Sequence, residues 1–232
     1  MSEEIFYSVV IPSYLEARNL EVLLPRILKI LPGLGKPSEV IVLDANPTLD
    51  NTPVVCKSYG IRHEVRLGGN AYGDAVRTGI ATARGRVVVF MDADGSHNPE
   101  DILVMAKHIE KVDVVIASRY IDGGRTDNNL LLIILSQIVN HTFRIVLGLS
   151  CKDVSNSFKM YHIDNLRSLT LTSMNFDIIE EILYKTKRKN IGFQYIEVPA
   201  SFSKRMFGES KRNLFLFALG YLYTLIKLRL SA

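Results

Sequence analysis

The chain has 232 residues, of which 47% are hydrophobic and 22% charged, and a net charge of +4. That balance excludes a disordered chain, which lacks the apolar surface to offset its ordering entropy. The length argues for one domain with at most an appendage. Two cysteines, Cys56 and Cys151, exclude a disulfide scaffold and fit a reducing compartment. The charge is uneven: residues 1–184 carry 18 basic and 22 acidic side chains, residues 185–232 carry 10 and 2. By charge alone, a cationic, partly greasy C-terminal fifth suits nucleic acid, an anionic membrane surface or a phosphate-bearing ligand. The first four residues include two glutamates, and the first apolar run, at 8–11, stops at Pro12, so no secretory signal is expected.

In chain order, residues 7–11 read as a strand closed by Pro12-Ser13. Apolar Leu20, Leu23, Leu24, Ile27, Leu28 and Leu31 recur close to a 3.6 period and predict a helix ending at Pro32-Gly33. Residues 39–43 form a second apolar strand reaching Asp44, and 52–59 a helix with Gly60 past its end. A helix over 73–83 precedes a third strand, 86–91, that reaches Asp92. Residues 99–109 read as helical, with Asn98 as N-cap. A fourth strand, 113–117, reaches Ser118-Arg119. Strands alternating with helices predict a mainly parallel α/β sheet. In such sheets ligands gather beyond the carboxyl ends of the strands.

The second half is greasier. Residues 130–149 form a long apolar helix with Gln137, His141 and Arg144 on one polar stripe. Residues 176–185 read as a helix and 193–198 as a strand. Residues 214–226 contain no charge and precede Lys227 and Arg229. About 20 residues are needed to span the hydrocarbon core, so this segment reads as interfacial, with burial in the protein or in an oligomer as the alternative.

Asp92-Ala93-Asp94 follows the third strand. Side chains at i and i+2 of an extended chain face the same way, so both carboxylates can enter one site. Two close carboxylates repel unless a counter-charge joins them. Hard oxygen ligands suit Mg²⁺ or Mn²⁺, and Ser96 adds a hydroxyl. Capping of the following helix is the alternative role. Asp44, Tyr14 and Glu16 stand where a ribose and a base could be held. Neither G-x-G-x-x-G nor the P-loop pattern occurs there, which argues against dehydrogenases and P-loop NTPases. Residues 204–212 place Lys204, Arg205, Lys211 and Arg212 around Gly208, a set able to neutralise phosphate. The run at 185–189 reads as a basic helix end or membrane-facing patch.

Taken together, these segments resemble the inverting glycosyltransferases of family 2, and most closely the dolichol-phosphate (polyprenyl-phosphate) mannosyltransferase group. The resemblance rests on an ordered set: residues 9–16, 39–44, 73–79, 91–100, 117–120, 153–161, 197–199 and 205–211, the last matching R-x-x-G-x-S-K. The chain departs from the pattern at Asp44-Ala45-Asn46-Pro47, at Ser96 in place of a common Gln, and at Asn156-Ser157 in place of Ser-Gly. The resemblance implies a GT-A fold over residues 1–212, including an interface helix region at 128–149, and a C-terminal membrane-associated helix at 213–232. It implies that Pro12, Tyr14, Glu16 and Asp44 hold the nucleoside. Asp92, Ala93, Asp94 and Ser96 would meet metal and diphosphate. Arg119, Arg205 and Lys211 would handle phosphates, with Asp94, Arg119 and Arg205 central to catalysis.

The partners so implied are GDP-mannose, a polyprenyl or dolichyl phosphate, and the cytoplasmic face of a membrane; no nucleic acid is expected. A polyprenyl phosphate is already anionic, so it needs no general base. Alternatives are UDP-glucose as donor, a soluble hydroxyl acceptor with Asp153 as base, and a membrane-attached binding module without catalysis. The apolar helices could also pair two copies of the chain.

Overall fold

The computed structural model describes residues 4–208 and 214–230, the side chains of 214–219 excepted. The elements run β1 (Tyr7–Pro12), α1 (Ala17–Ile30), β2 (Ser38–Asp44), α2 (Thr52–Ser58), β3 (Arg62–Val65), α3 (Tyr72–Thr82), β4 (Val87–Phe90) and α4 (Asp101–Ala106). They continue with β5 (Val114–Ser118), β6 (Arg125–Thr126), α5 (Leu130–Leu147), β7 (Lys159–His162), α6 (Ile163–Arg167), α7 (Ile178–Lys189), β8 (Tyr195–Pro199), β9 (Ser201–Phe202) and α8 (Leu214–Leu230). Seven strands form one sheet in the order β3-β2-β1-β4-β7-β5-β8. All its pairings are parallel except those of β7, which runs antiparallel to both β4 and β5. The short strands β6 and β9 pair in parallel beside it.

Alternation along β1 divides the core. Val9 and Ile11 face α1, α2 and α4, while Val10 faces α3 and the helices of the second half. Both faces are covered, which is why β2 and β4 read as unbroken apolar runs. Helix α3 lies close against β1: a Cβ on Gly79 would come within 2.5 Å of Val10 Cγ1. That approach accounts for a glycine inside a helix.

The helices expected at 99–109 and 130–149 are shorter than the pattern suggests. Asn98 does not cap α4: its Oδ1 accepts from Arg26 Nη2 at 2.7 Å, and α4 begins only at Asp101. On the polar stripe of α5, Gln137 and His141 are exposed and Arg144 is half-buried, while the polar side chains turned inward are Ser136 and Asn140. Strand β7 is the large omission, since Lys-Met-Tyr-His carries no strand pattern. Its Lys159 is fully buried, with Nζ donating to the carbonyls of Val154 (2.8 Å) and Asn156. The basic end of α7 ties neighbouring turns together: Lys185 donates to Glu181 and Thr170, Lys187 to Gly148, and Lys189 to Ser168. Helix α8 packs on α5 and α7. Tyr221, Leu225 and Leu228 join the same core, Phe143 and Tyr221 meet edge to face, and Thr224 Oγ1 donates to Asp177 at 2.7 Å.

Glu180 on α7 is completely buried. Loss of water pushes its carboxyl up to about 8; Asp177 adds to the rise, while Lys159 and the Tyr221 hydroxyl oppose it. A carboxyl raised in the folded state gives stability that is complete below its ordinary range and lost as pH climbs through the raised value. Urea midpoints are therefore expected to fall between about pH 5 and pH 8. Glu180→Gln should flatten that fall, and an unchanged slope in the variant would contradict the assignment.

Candidate functional site

The parallel strands of the large sheet end at one edge, which collects Asp44 as the last residue of β2 and Ser13, Arg66, Asp92 and Arg119 just past β1, β3, β4 and β5. Strand β7 starts from the same edge. Phe90 pairs with Lys159 in its ladder with β4, so two residues further along Asp92 comes opposite Ser157. The loop before β7 is thereby wedged between Asp92 and Arg119.

Asp92 and Asp94 are both half-buried, while Ala93 between them is buried, as the alternation expected. Ala93 can thus offer a ligand only its backbone. Asp92 Oδ1 accepts from Ser157 Oγ at 3.1 Å and from Tyr72 Oη at 3.4 Å. Asp94 Oδ1 accepts from Ser96 N at 3.0 Å and Ser96 Oγ at 2.6 Å. Buried Ser96 therefore orients Asp94 through its hydroxyl proton. Among the described residues, neither second oxygen takes a hydrogen bond. The loop bends at Gly95, whose φ of 77° lies in the left-handed region that favours glycine. Its base is held by Asp92 N donating to His97 Nδ1 at 3.1 Å, which places the ring proton on Nε2, 3.1 Å from Asn156 Oδ1.

The 203–208 segment lies across this loop. Ser203 N donates to Ser96 O at 2.8 Å and Met206 N to Asp94 O at 3.0 Å. Arg205 pairs with Glu16 and donates through Nε to Phe207 O at 3.1 Å. Asn19 on α1 holds the backbone of Phe207 in both directions, at 3.2 and 3.0 Å, and its Nδ2 also donates to Glu16. Arg18 covers the Phe207 ring at 3.9 Å. Two expected site residues, Glu16 and Arg205, are thus brought together as partners. Lys211 lies outside the described residues.

Arg119 sits deep. It is 8% exposed and grips Asp153, which is 0% exposed, through Nε (2.8 Å) and Nη2 (2.7 Å); its own N–H donates to the same carboxylate. Desolvation works against the charge, but the Asp153 pairing outweighs it and holds the guanidinium above its ordinary range. Ser136 of α5 and Ser155 approach Nη2 at 3.4 and 3.3 Å, and Asn140 Oδ1 accepts from Ser155 N at 2.8 Å. One side of α5 therefore lines the site. The other exposes Leu130, Leu131, Ile134, Leu135, Ile138 and Ile145.

At the nucleoside end, Pro12 and Asp44 are buried and Tyr14 is exposed. Asp44 is occupied by the N–H of Ala45 (2.7 Å) and by His63 Nε2 (3.2 Å). Sequence reasoning missed the residues that brace this end. Buried Arg66 donates to the carbonyls of Ser13, Asn70 (2.7 Å) and Ala71 (3.2 Å), 5.6 Å from the Tyr14 ring. Asn70 exchanges two hydrogen bonds with the backbone of Asn46. Asp50 binds the N–H groups of Ala17 and Thr52, each at 3.0 Å, and so joins the starts of α1 and α2. Arg66 follows β3, a strand the pattern did not suggest. Asn19 did leave a signal: it falls in helical line with Leu23 and Ile27, a polar side chain on an apolar stripe.

The sequence pattern of the glycosyl transferase family 2 domain matches residues 8–170. A dolichol-phosphate mannosyltransferase of Pyrococcus furiosus is 33% identical over 233 residues, and the alignment covers 95% of this chain and 63% of the relative. An undecaprenyl-phosphate mannosyltransferase of Micrococcus luteus is 32% identical over 217 residues, covering 88% of this chain and 86% of the relative. Among solved structures, glucosyl-3-phosphoglycerate synthase from Mycobacterium tuberculosis, in complex with Mn²⁺, UDP and phosphoglyceric acid, gives a TM-score of 0.75 at 19% identity, over 97% of this chain and 78% of that one. The same synthase with Mg²⁺ and UDP gives 0.72 at 18% identity, over 97% of this chain and 79% of that one. At these identities the likeness establishes the GT-A-like fold.

The Arg119–Asp153 pair yields a direct test. Removing one member of a buried pair leaves the other charge uncompensated and costs about 3–5 kcal/mol. Asp153→Ala is expected to lose that much in chemical denaturation; a loss below about 1 kcal/mol, the range of an exposed pair, would contradict the structural role.

Proposed function

The chain belongs to glycosyl transferase family 2, and on that footing we propose that it transfers a hexose, foremost mannose from GDP-mannose, to the phosphate of a polyprenyl or dolichyl phosphate. The observation that carries the lipid acceptor is α5, a single helix that reaches Arg119 with Ser136 and presents an apolar surface on its other side. An acceptor with a charged head and a greasy tail needs such a surface. The names of the P. furiosus and M. luteus relatives support both sugar and acceptor. UDP in the M. tuberculosis synthase keeps UDP-glucose as the alternative donor.

Asp92 and Asp94 fit a divalent ion, Mg²⁺ or Mn²⁺. They present hard oxygens, and two carboxylates leave positions that diphosphate oxygens commonly complete. Bound there, the ion would offset the charge of the departing nucleoside diphosphate. Ser96 fixes the orientation of Asp94. Arg205, carried on the segment that Asn19 anchors, would hold a phosphate in competition with Glu16, and Lys211 would add a second cation. Arg119 meets α5 through Ser136 and would hold the acceptor phosphate in competition with Asp153, as Arg205 would with Glu16. The acceptor phosphate attacks as an anion, and a single displacement inverts the sugar carbon. A soluble hydroxyl acceptor would instead need a base. Asp153 does not supply it, because both its oxygens lie on Arg119.

Asp94→Ala is expected to abolish metal-dependent transfer to a short prenyl phosphate, with circular dichroism and melting unchanged. A panel of labelled GDP- and UDP-sugars identifies the donor, and full activity in the variant would sink the scheme.

The exposed residues of α5 and of α8 (Leu222, Tyr223, Ile226 and Leu230) form the face we assign to the membrane. Among the described residues, α5 is the one helix long and apolar enough, at 18 residues, to cross a bilayer. Basic residues at the ends of α7 and α8 suit an anionic, cytoplasmic leaflet. The protein should float with vesicles containing anionic lipid, and Ile134→Lys/Ile138→Lys should reduce that. Dimerisation without flotation would assign the face to a second copy instead.

A further inference from the structure

Two hydroxyls converge on one oxygen of Asp92. Ser157 Oγ lies 3.1 Å and Tyr72 Oη 3.4 Å from Oδ1, whereas no described residue donates to Oδ2. Both hydroxyls are held from behind. The Tyr72 ring stacks on Phe176 with centroids 4.1 Å apart and planes 20° from parallel. Ser157 belongs to a turn in which Asn156 Nδ2 donates to Ala117 O at 2.6 Å, while Asn156 Oδ1 faces His97 Nε2 at 3.1 Å.

We propose that Ser157 and Tyr72 are positioning residues for the divalent ion: they occupy Asp92 Oδ1 and leave Oδ2 as the single oxygen this carboxylate offers. The inference rests on the reading that Asp92 and Asp94 hold an ion. Its physical basis is twofold. Before the ion binds, two neighbouring carboxylates repel, and two neutral donors disperse the charge on one of them. A carboxylate fixed to one-oxygen ligation also suits a small ion that demands near-octahedral geometry and shares its shell with phosphate oxygens. Partners that orient ligating groups typically contribute about 10–100-fold to metal affinity. Ser157, with the shorter contact, should contribute more than Tyr72.

The test is Mn²⁺ binding, read from the loss of the free-ion electron paramagnetic resonance signal, with GDP and separately with UDP present. Ser157→Ala is expected to weaken Mn²⁺ binding by about 10-fold or more, and Tyr72→Phe by less. Phe at position 72 keeps the ring stacked on Phe176, and Ser157→Thr restores the hydroxyl and should recover much of the affinity. Melting temperatures of all three variants report whether the fold is intact. If Ser157→Ala and Tyr72→Phe bind Mn²⁺ as tightly as the parent while Asp94→Ala does not bind it, the positioning role is wrong and the metal site stands. If Asp94→Ala and Asp92→Ala also bind it unchanged, the metal site itself is wrong and the positioning role falls with it.

Discussion

The buried pair of Arg119 and Asp153 joins the end of β5 to the loop that feeds β7, and much of the site follows from that junction. A guanidinium and a carboxylate removed from water must satisfy each other nearly completely. The bidentate geometry and the added Arg119 N–H do so. With Asp153 held, residues 154–157 have one short path into β7. Ser157 then falls beside Asp92 and Asn156 beside His97. The phosphate-handling end and the metal-binding end of the proposed site are thus braced by one loop, and Glu197 secures that loop by accepting from the N–H groups of Lys152 and Asp153.

Helix α5 connects chemistry to environment. Its inward positions, Ser136, Asn140, Phe143 and Leu147, follow helical spacing and divide between the polar site and the core. The opposite side is aliphatic and exposed. Helix α8 packs against α5 at Phe143 and enters the core through Tyr221, Leu225 and Leu228, while Leu222, Tyr223, Ile226 and Leu230 add to the exposed apolar surface. The C-terminal helix is therefore bound into the catalytic fold and does not hang from it. Thr224 of α8 bonds to Asp177, one residue from the Phe176 that stacks on Tyr72. The apolar face and the Asp92 environment accordingly share neighbouring parts.

The strands were legible where both faces are covered, because continuous burial demands continuous apolar sequence, as in β2 and β4. Helix α1 was legible from its period and α3 from its alanine content and the glycine past its end. Strand β7 was not, since it carries a lysine whose burial depends on two carbonyls supplied by a preceding turn. Asp92, Asp94 and Arg119 could be picked out because each follows a strand end. Arg66 and Asn70 act by gripping the backbone of neighbouring loops, and backbone partners leave no mark in a sequence; Asn19 showed only as a polar side chain on an apolar stripe. The Asn98 cap failed for a related reason: Arg26, far away in the chain, captures its side chain.

The order of residues alone determined that β1, β2, β4, β5 and β8 become strands, which edge gathers the carboxylates, and that the C-terminal fifth would be cationic and partly greasy. These are consequences of local periodicity, alternation and charge. Tertiary structure alone decided that Glu16 faces Arg205, that Asp153 is consumed by Arg119, and that two hydroxyls reach the same oxygen of Asp92. Each of those contacts joins residues far apart in the chain. The Asp153 and Ser157 contacts depend on an antiparallel strand inserted between two parallel ones, and strand direction is set by packing and loop closure, which no local pattern encodes.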